Sequence, residues 1–362
     1  MKLPENLPMP NHMAKSEILH LLLAEEYGFL PSAPISVTGV EESCDVRFCA
    51  GKAVLKKIRL DCNTEYGKFF FPVYFTCPVG SKKSVPCFVH INFRDLLPDK
   101  YQPSEEIVDA GYAVLSFCYK DVTSDDGDFT NGLAGLVYPE GRTNKSQCGK
   151  IGLWAWAALR VLDYAMTLPE LDHSRISVVG HSRLGKTALL AGALDERFFC
   201  AFSNESGCSG AALSRDNSRE TVKRIYERFP YWFCENYEKY GDHEETLPFD
   251  QHFLLAANAP HRVYVASAKE DLWACPQNEY LACVAASEYF KEYGFAGFVH
   301  LERLPEVGDF FGEGHIGYHM RAGIHYFSRE DWRNYMKYVD LHSGPDGELH
   351  KGIGYECVHY GL

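Results

Sequence analysis

Hydrophobic positions along this chain fall into two regimes. From Val46 to Phe93, runs rich in Val, Ile, Phe and Tyr (Ala53–Leu60, Phe69–Cys77 and Cys87–Phe93) are separated by short turns such as Val79-Gly80-Ser81. That pattern predicts antiparallel strands. Further on, the short apolar runs Tyr112–Tyr119, Ile176–Gly180, Cys200–Ser203 and Arg262–Ala268 alternate with helical stretches. Such alternation calls for crossover connections and a mainly parallel sheet covered on both faces. Two helices read clearly. Ile151, Trp154, Ala158, Val161 and Ala165 share one face at helical spacing, and Ser328 with Asp331 makes a capping-box pattern ahead of the stripe Trp332, Tyr335, Met336 and Val339. Residues 14–28 read as an N-terminal helix, followed by a proline-punctuated connector through Pro34.

The expected architecture is an α/β, three-layer αβα sandwich with a mainly parallel central sheet and antiparallel N-terminal strands. It divides into a helix and connector (1–35), one main domain (36–342) and a C-terminal tail (343–362). The stretch from Asp121 to Gln147 is long, polar and glycine-bearing, and reads as a surface loop beside a site. Composition adds exclusions. With 46% hydrophobic and 23% charged residues, 362 residues bury an ordinary soluble core. A formal net charge of -13 argues against nucleic acid or an anionic membrane as partner, and no apolar run is long enough to span a bilayer. Met1–Pro10 carries three prolines and one acid, and Leu21–Ala24 is cut short by Glu25 and Glu26. No signal peptide is read, so a cytoplasmic location is expected. The 13 cysteines are scattered and form no Cys-x-x-Cys pair, which points to buried thiols rather than disulfides or zinc.

The richest segment is Ile176-Ser-Val-Val-Gly-His-Ser-Arg-Leu-Gly-Lys-Thr187. A β-branched strand enters a glycine turn carrying Ser182 and leaves into a helix-forming run, the layout of the α/β-hydrolase nucleophile elbow. The same letters satisfy a phosphate-loop pattern through Gly180, Gly185, Lys186 and Thr187. The rest of the chain separates the two. Phosphate loops usually follow the first strand of their domain, whereas several strands precede this one. A serine nucleophile further requires an acid and a histidine downstream. Asp271 follows the strand Arg262–Ala268, and histidines follow it. One departure stands out: Gly-x-Ser-x-Gly is broken by Leu184, with glycine one place later.

Gly180-His-Ser-Arg-Leu-Gly-Lys186 resembles the Gly-x-Ser-Arg-x-Gly-Lys signature of glucuronoyl esterases and their bacterial acetyl xylan esterase-like relatives. The resemblance continues through Gly152-Leu-Trp-Ala-Trp-Ala157, Ser203-Asn-Glu-Ser-Gly-Cys208, Phe229-Pro-Tyr-Trp-Phe-Cys234, Val263–Trp273 and Gly317–His325, spanning about residues 86–342 in order. It implies the α/β-hydrolase fold with Ser182 as nucleophile and His325 as general base. The third role falls to Asp271 or Glu205, Asp271 having the usual hydrolase location. The resemblance also places Arg183 at the oxyanion, and Lys186, Glu220 and Trp273 on a uronate sugar, with no metal or organic cofactor. Family members read Phe-Pro-His-Trp where this chain has Phe229-Pro-Tyr-Trp232, and Gly-Lys-His-Asp where it has Gly323-Ile-His-Tyr326. Both changes border the expected sugar pocket.

The implied activity is hydrolysis of a carbohydrate ester, the sugar-facing residues favouring a glucuronoyl or 4-O-methyl-glucuronoyl ester over an acetyl ester. A phosphate-loop nucleotide-binding protein and a non-catalytic sugar-binding relative are the readings of another class. Among the remaining histidines, His252 reads as a hydrogen-bonded core residue and His181 as packing. His315 and His319 have ligand spacing but lack the glutamate of a zincin helix.

Overall fold

The computed structural model describes residues 2–81 and 83–343. The expected tail beyond Ser343 lies outside the described residues. Ten strands form one sheet: β1 (Ser36–Phe48), β2 (Ala53–Thr64), β3 (Gly67–Pro78), β4 (Val85–Asn92), β5 (Ala113–Cys118), β6 (Leu171–His181), β7 (Cys200–Asn204), β8 (Arg262–Ala268), β9 (Phe310–Phe311) and β10 (Ile316–Arg321). Their spatial order is β1-β2-β3-β5-β4-β6-β7-β8-β10-β9. From β5 through β4, β6, β7 and β8 to β10 every pairing is parallel. The wing β1-β2-β3 and the short β9 are antiparallel.

Both faces of the sheet are covered, as the strand side chains show. Val89, Leu115 and Val178 join a cluster with Ile151, Leu184 and Tyr280 from helices on one face. Their chain neighbours Phe88, Val114 and Val179 join a second cluster with Ile107, Trp332 and Tyr335 on the other. Adjacent residues of a strand point to opposite faces, so the three-layer sandwich follows. The helix Lys150–Ala165 buries nearly every side, and Arg329–Leu341 begins with the expected capping box of Ser328 and Asp331.

One expectation is corrected, two strands were missed, and the expected N-terminal helix is present. The run Cys87–Phe93 is not antiparallel: it forms β4, buried along its whole length and parallel to both neighbours. Burial of every residue, including the polar His90 and Asn92, marks a doubly covered strand. The exposed edge strand β1 and the buried β10 were not foreseen, because β1 is almost wholly solvent-facing and scatters its apolar residues among polar ones while His319 and Arg321 interrupt β10. The N-terminal helix spans Lys15–Leu22 and continues as a π-helical turn, Leu23–Tyr27. Ile18, Leu22 and Tyr27 are buried in the main core, so this segment packs with the rest of the fold.

Candidate active site

The carboxyl ends of the parallel strands converge on one surface, where open α/β sheets place their ligand crevices. Ser182 follows β6, Glu205 follows β7, Asp271 lies beyond β8 and His325 beyond β10. Ser182 turns the chain in a single residue, with φ 59° and ψ -127°, before the helix Arg183–Leu194. This backbone conformation is strained for a residue with a Cβ and is the signature of a nucleophile elbow. The Ser182 N–H donates to the Asn204 carbonyl at 2.8 Å, and the Ser182 carbonyl accepts from Gly185 N–H at 2.9 Å. The displaced glycine is explained by the packing. A Cβ on Gly180 would sit 2.0 Å from the Leu184 carbonyl oxygen, and one on Gly185 would press on Ser203 and Ser206 at 3.1 Å. Strand and helix touch at Gly185, so Leu184 is free to turn into the core.

His325 faces Asp271, its Nδ1 2.6 Å from Oδ2. Glu205 Oε2 lies 3.3 Å from the same nitrogen. The two acids differ in what else they hold. Glu205 is fully buried, accepts the Tyr326 N–H at 2.9 Å and pairs with the Arg321 guanidinium. Asp271 takes only one weak further bond, from Ala274 N–H at 3.4 Å. Asp271 is therefore the direct partner of the imidazole, and Glu205 chiefly supports the loop. Burial opposes charging His325, but its hydrogen bonds to the Asp271 and Glu205 carboxylates outweigh it and hold the imidazole pKa up at about 9. Burial pushes Glu205 up to about 7. It would raise Asp271 as well, yet the hydrogen bond from His325 keeps that carboxyl below its ordinary value.

Ser182, Arg183 and His325 line two cavities that meet at the serine. The smaller, about 280 Å³, is walled by Lys186, Glu220, Trp232 and Trp273. The larger, about 490 Å³, is walled by Phe93, Arg94, Lys100 and Tyr101. In the smaller cavity the predicted sugar-facing residues form one chain. Lys186, 2% exposed, donates to the Ser206 and Cys208 carbonyls and lies 3.8 Å from Glu220. Glu220 accepts from the Cys208 N–H at 3.0 Å and from the Trp273 indole at 2.9 Å, leaving that indole 46% exposed at the cavity mouth. A phosphate loop needs a free lysine and a loop of N–H groups; here Lys186 is engaged by carbonyls and Asp271 by His325. The nucleotide reading is set aside on that geometry.

Arg183 opens its helix, so its N–H has no partner within that helix. Its guanidinium pairs with Asp125 and stacks 4.7 Å from the Trp232 ring centre. Arg321 escaped the sequence reading, while His181 packs as expected and His319 gains partners not foreseen. Arg321 holds the His325 loop by donating to the carbonyls of Ala322, at 2.8 Å, and of Tyr326. It also grips Asp331 with Nε at 3.1 Å from both oxygens. His181 stacks on the His325 ring at 4.4 Å and bonds Asn204 at 2.6 Å; burial lowers its pKa to about 3, so it packs neutral. His319, read only for its ligand spacing to His315, bonds Asp331 at 2.9 Å and Tyr264 at 3.0 Å. A buried arginine four places before the base was the available signal, since a buried cation must find anionic partners. Ligand atoms of His181, Glu205 and His325 lie within 4.8 Å of one another, but each residue already has the protein partners just named.

Comparison with known proteins agrees with this geometry. The family model described as "Glucuronyl esterase, fungi" matches residues 61–294. A carbohydrate esterase from an unknown prokaryotic organism is 32% identical, covering 92% of this chain and 85% of its own. The chain belongs to the glucuronoyl esterase family. It is a carboxylic ester hydrolase of α/β-hydrolase fold. A solved glucuronoyl esterase from Solibacter usitatus superimposes with a TM-score of 0.84 at 29% identity, covering 94% of this chain and 97% of the other. A 4-O-methyl-glucuronoyl methylesterase from Podospora anserina is 27% identical over 71% of this chain, which spans 51% of that fungal protein. Among the described residues no helix is long and apolar enough to cross a membrane.

Proposed function

We propose that this enzyme hydrolyses glucuronoyl esters of an alcohol, with Ser182, His325 and Asp271 as its catalytic triad. The observation that carries the reading is the His325–Asp271 contact of 2.6 Å beside a serine on a strained elbow, opening onto a cavity walled by Lys186, Glu220 and Trp273. His325 takes the Ser182 proton as Oγ attacks the ester carbonyl, and Asp271 holds the ring so that Nε2 faces the serine and the imidazolium is stabilised. The developing oxyanion is met by the Arg183 N–H and guanidinium. The imidazolium then protonates the departing alcohol, and water, activated by His325, cleaves the acyl-enzyme. A uronate ring as the acyl part suits the small cavity: its hydroxyls meet Glu220, backed by Lys186 at 3.8 Å, and its apolar face meets Trp273. The relative from Podospora anserina, named for a 4-O-methyl-glucuronoyl ester, supports that assignment.

The test is hydrolysis of benzyl glucuronate beside 4-nitrophenyl acetate by the wild type and Ser182→Ala. Turnover of the glucuronate that falls by roughly 10⁶-fold in Ser182→Ala is expected. Turnover of acetate alone would overturn the uronoyl assignment, and serine-independent turnover would overturn the triad.

A further inference from the structure

Arg183 is one residue from the nucleophile, yet what orients its guanidinium comes from a remote loop. Asp125 lies between the helices Tyr119–Val122 and Gly132–Val137, with its side chain 7% exposed. Its Oδ2 accepts from Arg183 Nη1 and from the Tyr119 hydroxyl at 2.9 Å, while Oδ1 accepts from the Trp232 indole at 2.8 Å. One carboxylate thus holds both the cation and the ring on which the cation stacks. Two further aromatic rings, Phe229 and Phe93, complete the enclosure at 5.6 Å and 5.7 Å. The guanidinium keeps a donor in reserve: Arg183 Nε is buried and has no hydrogen-bond partner among the described residues. Such a group costs free energy until something accepts from it.

The loop carrying Asp125 is itself braced. Ser124 N–H donates to Asn131 Oδ1 at 2.9 Å, Asn131 Nδ2 donates to Ser124 Oγ at 2.7 Å, and buried Lys150 donates to Thr123 Oγ1 at 2.8 Å. Tyr231, one of the departures noted above, donates its hydroxyl to the Asp125 carbonyl at 3.1 Å. The structure assigns Asp125 as the positioning residue of the oxyanion site, acting through Arg183, with Trp232 and Tyr231 fixing it in turn. The inference rests on the proposed roles of Ser182 and Arg183. Because the oxyanion exists only in the transition state and intermediate, loosening Arg183 lowers kcat and leaves KM nearly unchanged.

A double-mutant cycle on benzyl glucuronate tests this. Asp125→Asn keeps the shape of the side chain but cannot accept from the guanidinium and the indole together. It is expected to lower kcat roughly tenfold in the wild type, a fraction of the 10²–10³ expected for losing an oxyanion donor. In an Arg183→Ala background it is expected to do nothing further. Equal losses in both backgrounds, or a loss carried by KM, would overturn the assignment. Should Asp125→Asn fail to fold, Trp232→Phe removes only the donor to Oδ1 and keeps a ring beneath the cation. Its smaller kcat loss must likewise vanish without Arg183, and no kcat loss in either background would overturn the assignment. Ser182→Ala with undiminished activity would instead signal that the underlying triad reading has failed.

Discussion

Ser182 and His325 face the same two cavities but are held there by different means. The serine is placed by backbone: a central strand paired on both sides, one strained residue, and a helix bonded to it through Gly185 N–H and Lys186 N–H. The histidine stands on a loop beyond β10, its side chain 43% exposed, held by side chains from the end of β10 and from the loops after β7 and β8. Arg321 grips the loop carbonyls, Glu205 and Asp331, and Asp271 takes the imidazole. On the proposed roles, the nucleophile, which must hold a strained conformation, is built into the centre of the sheet. The base, which must gain and lose a proton, is set at a partly wet edge and tuned by charge.

The largest expected effect falls on the imidazole's direct partner. Asp271→Asn should lower kcat about 10⁴-fold, by losing both the tautomer and the charge that Asp271 imposes. Glu205→Gln should cost far less, and steady-state kinetics of the two variants side by side would break the ranking if their losses were equal. Arg321→Met comes next. It leaves Glu205 and Asp331 buried without their cation, so urea unfolding should show a loss of roughly 3–5 kcal/mol, together with a reduced kcat as the loop shifts.

The pH profile sharpens the same contrast. Because its carboxylate partners favour the imidazolium, His325 gains its base form only as pH rises toward about 9. The rise of kcat/KM with pH should therefore lie well above the range of an ordinary histidine. In Glu205→Gln one negative partner is gone, so the rise should move to lower pH; an unmoved or higher midpoint would show that Glu205 does not act on the imidazole. The smallest effect belongs to the elbow. Gly185→Ala presses a methyl on Ser203 and Ser206, where a shift of a few tenths of an ångström suffices. A loss of about 1 kcal/mol in thermal unfolding is expected, with kcat changed little.

The same division explains what could be read from the letters alone. The elbow is a local device, and Gly180, Ser182 and Gly185 announce it within six residues. The parallel core was legible because the short, largely apolar runs Ile176–Gly180, Cys200–Ser203 and Arg262–Ala268 alternate with helical stretches. The roles of Asp271 and Glu205 could not be separated, since the answer lies in which acid Arg321 and Tyr326 occupy, contacts spanning more than a hundred residues. Asp125 was invisible for a like reason: its polar loop bears no periodicity, and its meaning arises only where it meets Arg183 and Trp232. Strand β10 was hidden by its buried His319 and Arg321, which look polar in sequence but are satisfied by Asp331.

The central claim is that the elbow serine and the loop histidine form one proton-linked unit. Intact-mass analysis of labelling by a fluorophosphonate, followed across pH in the wild type and Asp271→Asn, measures that link directly. A single adduct on Ser182 is predicted, with a rate that climbs with pH as His325 loses its proton and collapses in Asp271→Asn. An adduct on another residue, or a Ser182 rate indifferent to pH and to Asp271, would contradict the account.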